Sequence, residues 1–589
     1  MALVKSALFV GVLSGSVAVG AATAQARDIA AGTVFAMTED LVLSGAENLA
    51  AGADSGGRCT IQGNGHTIRS ADGWTGSLNI KNCDVDHLGA ENADAINVHG
   101  GGTDTFTITG TTFATSGQLL FFLSGARGMV FQRNLIAEDS VVSTVVLLAS
   151  SAPAIFIKGT SDADKLFQGN VMRRSRVEFN NTNRWTIGGT GPGEGNIFVG
   201  TRAGADLEVV DTIKFIGNYS HTTIPENGWN QVKNLTGRGS NVVVQHNVVW
   251  GYNWLLELTI TGEVSYNLLI DNIERGWTMV RDKAGTLIHH NVMIATKAMQ
   301  NNPEGVFVVD LSDDQSLPDH SEVFNNTFQG GGVCVPAIRS LVVLKGAYLT
   351  SLRSNAFVDA RVGLGADALI YGGPEGMDGG AQPPGLGYSD YNLFYVPDSP
   401  RRTLYTATVT GKAPGEPGYG AHDVDATSMP RSDRFTIPLF NGKVPRSFPF
   451  MESEVISRQT TVCQILAYYR QVFTPVASAG MLGAGDPADG ANNSIGAIGV
   501  GAADPADLFG RAPSCDATDI GNPATDASVF TCKPVPAGGS ASPDDLMAAH
   551  GFQCVCELGA GRQDATPLIP ILALAGVALA ARRHSRSRL

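Results

Sequence analysis

The sequence predicts an all-β solenoid of stacked coils, on three observations. The first is a phrase repeated from Val242 to Phe328, in which apolar residues alternate with spacers up to an asparagine and more apolar residues follow it. It reads VVVQHNVV at Asn247, EVSYNLL at Asn267, LIHHNVMI at Asn291 and EVFNNTF at Asn326. Alternation before each asparagine gives a short strand with one buried face, and the asparagine comes where the strand must bend. The second is the spacing of 20, 24 and 35 residues between those asparagines, with no helical period between them. Each turn of such a coil buries its apolar face on its neighbours. The third is composition: 71 glycines and only 16% charged residues suit strands joined by tight turns.

The phrase recurs outside that core as GMVFQRNLI at Asn134, KLFQGNVM at Asn170, IKFIGNYS at Asn218, SLRSNAF at Asn355 and SDYNLFY at Asn392. Variants precede it: CTIQGNGHTI at Asn64, LNIKNCDV with Cys83 in the slot, and FTITGTTF with Thr111. Small polar residues in one slot of successive coils can hydrogen-bond along the stack and so satisfy a buried turn. From about Cys59 to Asn392 the chain resembles the right-handed parallel β-helix of the pectate-lyase-like superfamily. That resemblance implies a fold, and it leaves activity to be argued from the site.

In chain order, Lys5, the apolar run Ala7 to Ala22 and Ala24-Gln25-Ala26 read as a secretory signal over residues 1–26, cleaved after Ala26. A β-helix domain is expected over 27–501. Residues 27 to 57 form a lead-in covering the first coil, because an open solenoid end exposes strand edges. An excursion runs from about 399 to 475, and Val455 to Val472 contains QILAYYRQVF, spaced as a short helix. Residues 476 to 501 are similar to the closing segment of many bacterial β-helix proteins, a Gly-Asp-Pro turn before a final Ile-Gly strand. Residues 502–553 read as a linker or a small disulfide-tied segment.

In the tail, 554–589, an uncharged span at 565–581 is near the lower limit for crossing a bilayer and is followed by Arg582, Arg583, Arg586 and Arg588. This resembles the C-terminal sorting tail of myxobacterial surface proteins. The resemblance implies processing at Cys554 or Cys556 by envelope sorting machinery; a membrane-retained stop-transfer helix is the alternative. Both place the repeats outside the inner membrane. Eight cysteines in an exported chain are expected to be at least partly oxidised. Cys59 and Cys83 lie one coil apart and could bridge, while zinc-type spacing is missing.

The acidic balance, 55 acidic against 41 basic residues, argues against a nucleic-acid partner. Arg173, Arg174 and Arg176 read as a solvated turn. Counting ten residues back from each ladder position gives Glu208, Glu257, Arg281 and Lys345, and the corresponding strands add Lys233 and Asp310. Stacked one per coil, they make a column of nearly alternating charge on an outer face. The structural reading of that column is cross-strand ion pairing.

The functional reading is a polysaccharide site, with Glu257, Arg281, Asp282 and Asp310 as catalytic candidates. Glu257, Asp282 and Asp310 could supply a calcium site, and Arg281 or Lys283 could handle a proton beside a uronate carboxylate. Trp250, Tyr252, Trp254 and Trp277 lie in the same coils as sugar platforms or as core. A second cluster, Asp94, Asn97 and His99 in ENADAINVHGG, resembles the Asp-Gly-Ile strand of β-helix carbohydrate enzymes, with Ala95 in place of the glycine. His246, His289 and His290 read as turn-packing residues. The expectation is an exported, envelope-anchored protein that binds, and as a lyase or glycoside hydrolase cuts, polysaccharide. A non-catalytic adhesion or structural rod is the alternative.

Overall fold

The repeated phrase folds as one unit of a three-faced coil, best seen at Asn267. In strand Trp254–Ser265, Leu256, Leu258 and Ile260 are buried on the first face. The chain turns at Gly262 and continues with Val264 buried on the second face. Tyr266 then takes a left-handed conformation (φ 57°), Asn267 follows, and Leu268–Asp271 forms the third face. Gly262 is required at the first corner: its φ is +143°, and a Cβ there would lie 2.0 Å from the Val242 carbonyl oxygen.

The computed structural model describes residues 26–90, 93–114, 117–136, 154–173, 175–200, 203–221, 233–251, 254–271, 277–295, 307–311, 322–330, 342–345, 348–359, 370–373, 385–397, 408–409, 420–432, 436–445, 448–490 and 492–499. All fall in the first of two units, Met1–Pro523; the second, Ala524–Leu589, lies outside them, as do the expected signal 1–26 except Ala26, the expected linker 502–553 and the expected tail 554–589. Among the described residues the strands make a 23-stranded sheet, carrying the first and second faces, and a 15-stranded sheet, carrying the third. The pairings that define these sheets are parallel, and the fold is a right-handed parallel β-helix with a short helical excursion. Phenylalanines stack along the interior, as in Phe131–Phe167 at 5.1 Å and Phe328–Phe357 at 5.2 Å between ring centroids.

The second corner carries the ladder. Asn267 Nδ2 donates to Asn291 Oδ1 (2.9 Å) and to the Val244 carbonyl (2.8 Å). Its own Oδ1 accepts from the backbone N (3.0 Å) and Nδ2 (2.9 Å) of Asn247. Buried amides are thereby fully satisfied, and the same pattern joins Asn134, Asn170, Asn196, Asn218, Asn247, Asn291, Asn326 and Asn355 to Asn392. Asn196 was not expected, because loop residues precede it instead of an alternating strand.

The structure corrects the ends of the stack. The slot of the first variant coil is held by Cys59, not Asn64: Cys59 is register partner of Cys83 and is disulfide-bonded to it. Asn64 instead takes a left-handed turn conformation (φ 50°). The segment expected as a lead-in is already coiled, with Ala26–Ile29 pairing Asn48–Ala51 and Val34–Ala36 pairing Cys59–Gln62. At the other end Val424–Asp425 pairs with Leu393–Tyr395, and Asp423 Oδ1 takes the ladder place, accepting from Asn392 N at 2.7 Å.

The excursion holds helices Glu452–Ile456 and Val462–Phe473, the second opened by a capping box between Thr461 and Gln464. Ile465, Leu466, Tyr469 and Phe473 share a core with Val248, Leu268 and Val292 of the third face, so that face is apolar on both sides. Within the described part of 476–501 no final strand forms. The segment turns, and it is pinned to the second corner by Gly496 N on the Ser354 carbonyl (2.7 Å) and Ala497 N on Thr327 Oγ1 (3.0 Å).

Replacing Asn267 by alanine orphans the Val244 carbonyl and two donors of Asn247 in a dry turn. Asn267→Ala is expected to lower stability by about 3–5 kcal/mol in urea unfolding of the full chain. A loss under about 1 kcal/mol would show that the ladder is dispensable.

Candidate functional site

Strand alternation decides what the first face shows to the outside. In Asp94–Gly102, Ile96 and Val98 are buried, which turns Asn97 and His99 outward; the same parity in Gln118–Gly125 turns Leu120 and Phe122 outward. Register then aligns these positions up the stack. Phe122 pairs with His99 and with Lys158, Lys158 with Asn180, Asn180 with Glu208, and Glu208 with Arg238. The row continues through Thr259, Arg281 and Asp310 to Lys345. A parallel row two residues earlier runs Asn97, Leu120, Phe156, Glu178, Asp206, Thr236, Glu257 and Met279.

The lower part of these rows is aromatic and the next part is charged. His99 and Phe122 stack at 4.1 Å, and Phe156 follows at 6.1 Å from Phe122. Above them, Arg176 approaches Glu178 at 3.3 Å and Asp206 at 3.9 Å, and Asn180 Nδ2 donates to Glu178 Oε1 at 3.0 Å. Glu208 is salt-bridged to Arg238. Glu178 and Asp206 went unnoticed in the sequence, although each sits two residues from a residue of the other row, the spacing of one strand face.

The sequence candidates divide between these rows and other places. Arg281 and Asp310 are direct register partners in the expected column. Glu257 is displaced from it by two residues, with Thr259 in its place, and Lys233 pairs with Ala203 and Trp254 while Arg238 holds its position. The fixed count of ten fails because the first corner varies in length: Ile260 to Gly262 is matched in the next coil by Asp282 to Thr286. Lys283 falls in that longer corner. Asp282 aligns with the buried Ile260 and with Leu311, a register row other than those of Glu257 and Asp310.

Trp254 and Trp277 are register partners at the start of their strands. Of the side chains of Glu257, Trp277, Arg281, Asp282, Lys283 and Asp310 nothing is described, and Tyr252, Cys554 and Cys556 lie outside the described residues. Trp250 is on the third face instead, packed on His221 (3.4 Å) and Phe448 (4.6 Å) with its Nε1 donating to Tyr219 Oη at 3.0 Å. Asp94 accepts from Asn97 Nδ2 at 2.5 Å, and Asn97 Oδ1 is buried without a partner among the described residues. Ala26 opens the first strand.

Turn packing accounts for the ladder histidines. His246 and His290 each stack on Tyr266 at 5.1 Å, and His289 stacks on Phe324 at 4.7 Å. His289 Nε2 lies 3.0 Å from Glu263, and its Nδ1 lies 2.7 Å from His290 Nδ1. Hydrogen bonds from His289, then Ser265 and Gln245, outweigh burial and hold the Glu263 carboxyl down at about 2. Complete burial, reinforced by His289, pushes His290 well below the ordinary histidine value. Among the described residues no three His, Cys, Asp or Glu side chains form a group able to hold a metal ion. Nor is any described helix long and apolar enough to cross a membrane; the span 565–581 lies outside them.

Comparison with protein-family models, with curated proteins and with solved structures gives no match.

The corner cluster makes stability pH-dependent with a definite sign. His290 is depressed, so the unfolded chain takes up its proton first; stability should fall as pH drops below about 6.5. Glu263 is also depressed, so its contribution is present above about 4.3 and lost toward its folded value near 2. Urea midpoints at pH 7.5, 5.5 and 3.5 should decline in order. His290→Gln should flatten the first step, and an unchanged first step would show that His290 is protonated when folded.

Proposed function

We propose that this chain is an exported β-helix protein of the pectate-lyase-like type, held at the cell envelope by its C-terminal tail, that binds polysaccharide along the outward first face. The observation that carries this reading is the pair of rows in which His99, Phe122 and Phe156 lead directly into Lys158, Glu178, Asn180, Asp206, Glu208 and Arg238. Aromatic faces accept the apolar side of a sugar ring, and successive coils about 4.8 Å apart offer polar groups along a chain of sugars. If the face also cuts, acid and base come from the same rows. Arg281 and Asp310, or the carboxylates of Glu178 and Asp206, would serve a lyase or a glycoside hydrolase, with calcium at Glu257 and Asp310 as a further proposal.

One observation favours the rival reading of a non-catalytic rod. The described carboxylates are already engaged, Glu178 and Asp206 by Arg176 and Glu208 by Arg238. Ion pairs of this kind suppress like-charge stacking without any ligand.

Purified full-length protein tested on a panel of neutral and acidic polysaccharides, with and without calcium, separates the two. Binding is expected to weaken about tenfold in Phe122→Ala, the loss of one aromatic contact. Arg281→Ala should abolish any cleavage while leaving the melting temperature in place. If no polymer is retained and Arg281→Ala chiefly lowers the melting temperature, the rod reading stands. Truncation at Gly551 should release the protein into the medium, and continued retention would place the anchor elsewhere.

A further inference from the structure

A cleft of about 410 Å³ opens at the second corner of the lower coils, on a different face from the rows described above. Its lining includes Leu135, Val171 and Ile456 and three arginines, Arg133, Arg173 and Arg458, and no acidic residue. Three separate elements contribute the arginines to this cleft. Arg133 precedes the ladder residue Asn134, Arg173 ends the third-face strand Val171–Arg173, and Arg458 follows helix Glu452–Ile456.

Arg458 has a structural task, donating to the carbonyls of Gly169 (2.7 Å) and Gly195 (3.2 Å) and so tying the excursion to the coils. Burial lowers its pKa, with no carboxylate acting in the other direction. Arg133 is solvent-exposed and Arg173 half-buried, neither has a carboxylate partner among the described residues, and Arg173 Nε is buried without any hydrogen-bond partner among them. Glu194, the nearby acid in the adjoining loop, turns its Oε2 to the Gly191 N–H at 2.9 Å. Arg133 occupies the left-handed position before the ladder residue (φ 55°), as His246, Tyr266, His290, Ser354 and Tyr391 do in other coils and Asn82 and Asn325 do in theirs.

We propose that this cleft binds the carboxylate of an acidic sugar unit, with the arginine fork on the carboxylate and the ring over the apolar floor. Guanidinium groups pair with planar carboxylates in bidentate fashion, and the volume suits one or two sugar residues. That the carboxylate arrives on a sugar rests on the carbohydrate reading above. That an anion binds does not.

The test is isothermal titration of the full chain with a uronate trisaccharide, the matching neutral trisaccharide and sodium sulfate. The expected result is uronate binding that weakens at least tenfold in Arg133→Asn and further with Arg173→Gln, with the neutral sugar inactive. Arg133→Asn suits the left-handed turn, so its melting temperature should not fall. Arg133→Lys should restore part of the affinity, which a merely structural arginine would not do. Phe122→Ala should leave this binding intact, so failure of the first-face reading remains distinguishable from failure here. Sulfate binding as tightly as uronate would overturn the sugar assignment. Uronate binding unaffected by Arg133→Asn, or no binding at all, would overturn the site.

Discussion

The asparagine ladder is the constraint on which the rest of the molecule depends. A solenoid has to turn its backbone in a dry interior once per coil, and unpaired peptide groups there cost about 1–3 kcal/mol each. An amide side chain solves this because it carries two donors and two acceptor sites. From Asn170 to Asn392 each ladder residue uses them all, as Asn247 does with Phe215 O and Asn267 Oδ1 on one side and the N and Nδ2 of Asn218 on the other. Side-chain periodicity in a strand is two, so a slip of one residue at this corner would exchange the third-face side chains of the coil interior, such as Leu269, with those packed against the excursion, such as Leu268 and Ile270. The ladder thus sets register for everything that follows it.

The first corner has no such device, and the difference shows in what could be read from the residues. Ladder residues after alternating strands were legible from Asn134 to Asn392, as were the helical excursion and the pairing of Cys59 with Cys83. Asn196 was not, because a glycine-rich loop replaces the strand before it. The outer column was half legible: Glu208, Arg281, Asp310 and Lys345 share a row, while Glu257 and Lys233 do not. Corner residues inserted between Asp282 and Thr286 shift the count without disturbing the ladder below. A local phrase reports local geometry well. It cannot report the number of residues a loosely held corner absorbs.

Burial of the third face on both sides then limits where a ligand can sit. Its outer surface is taken by the segment that follows the coils, which is tied to them by His221 against Glu452 (2.5 Å) and by Arg353 against Asp489 (2.6 Å). Trp250 shows the consequence: an aromatic that looked like a sugar platform is roofed by Phe448. The outward rows of the first face carry no such roof among the described residues, which is why aromatic and charged side chains there carry the functional reading.

The interior treats its cations in a consistent way, and that sharpens the meaning of the arginine cleft. Arg127, fully buried, donates to the carbonyls of Asp104, Gly101 and Thr75 and lies 4.4 Å from the Phe106 ring centroid. Lys165 Nζ is held by the carbonyls of Ser161, Ala163 and Asn183, and burial brings its pKa down to about 8. Arg458 likewise ends on carbonyl oxygens at a coil corner, and the exposed Arg58 reaches the Cys83 and Gly110 carbonyls as well as Asp84. Corners expose carbonyls that strand pairing leaves over, and long cations close them off. Arg133 and Arg173 stand at such a corner beside Arg458, yet they take no carbonyl or carboxylate among the described residues. Arg133 is solvent-exposed and Arg173 half-buried, so the carbonyl-capping use of arginine seen elsewhere in this fold does not account for them. An anion in the cleft does.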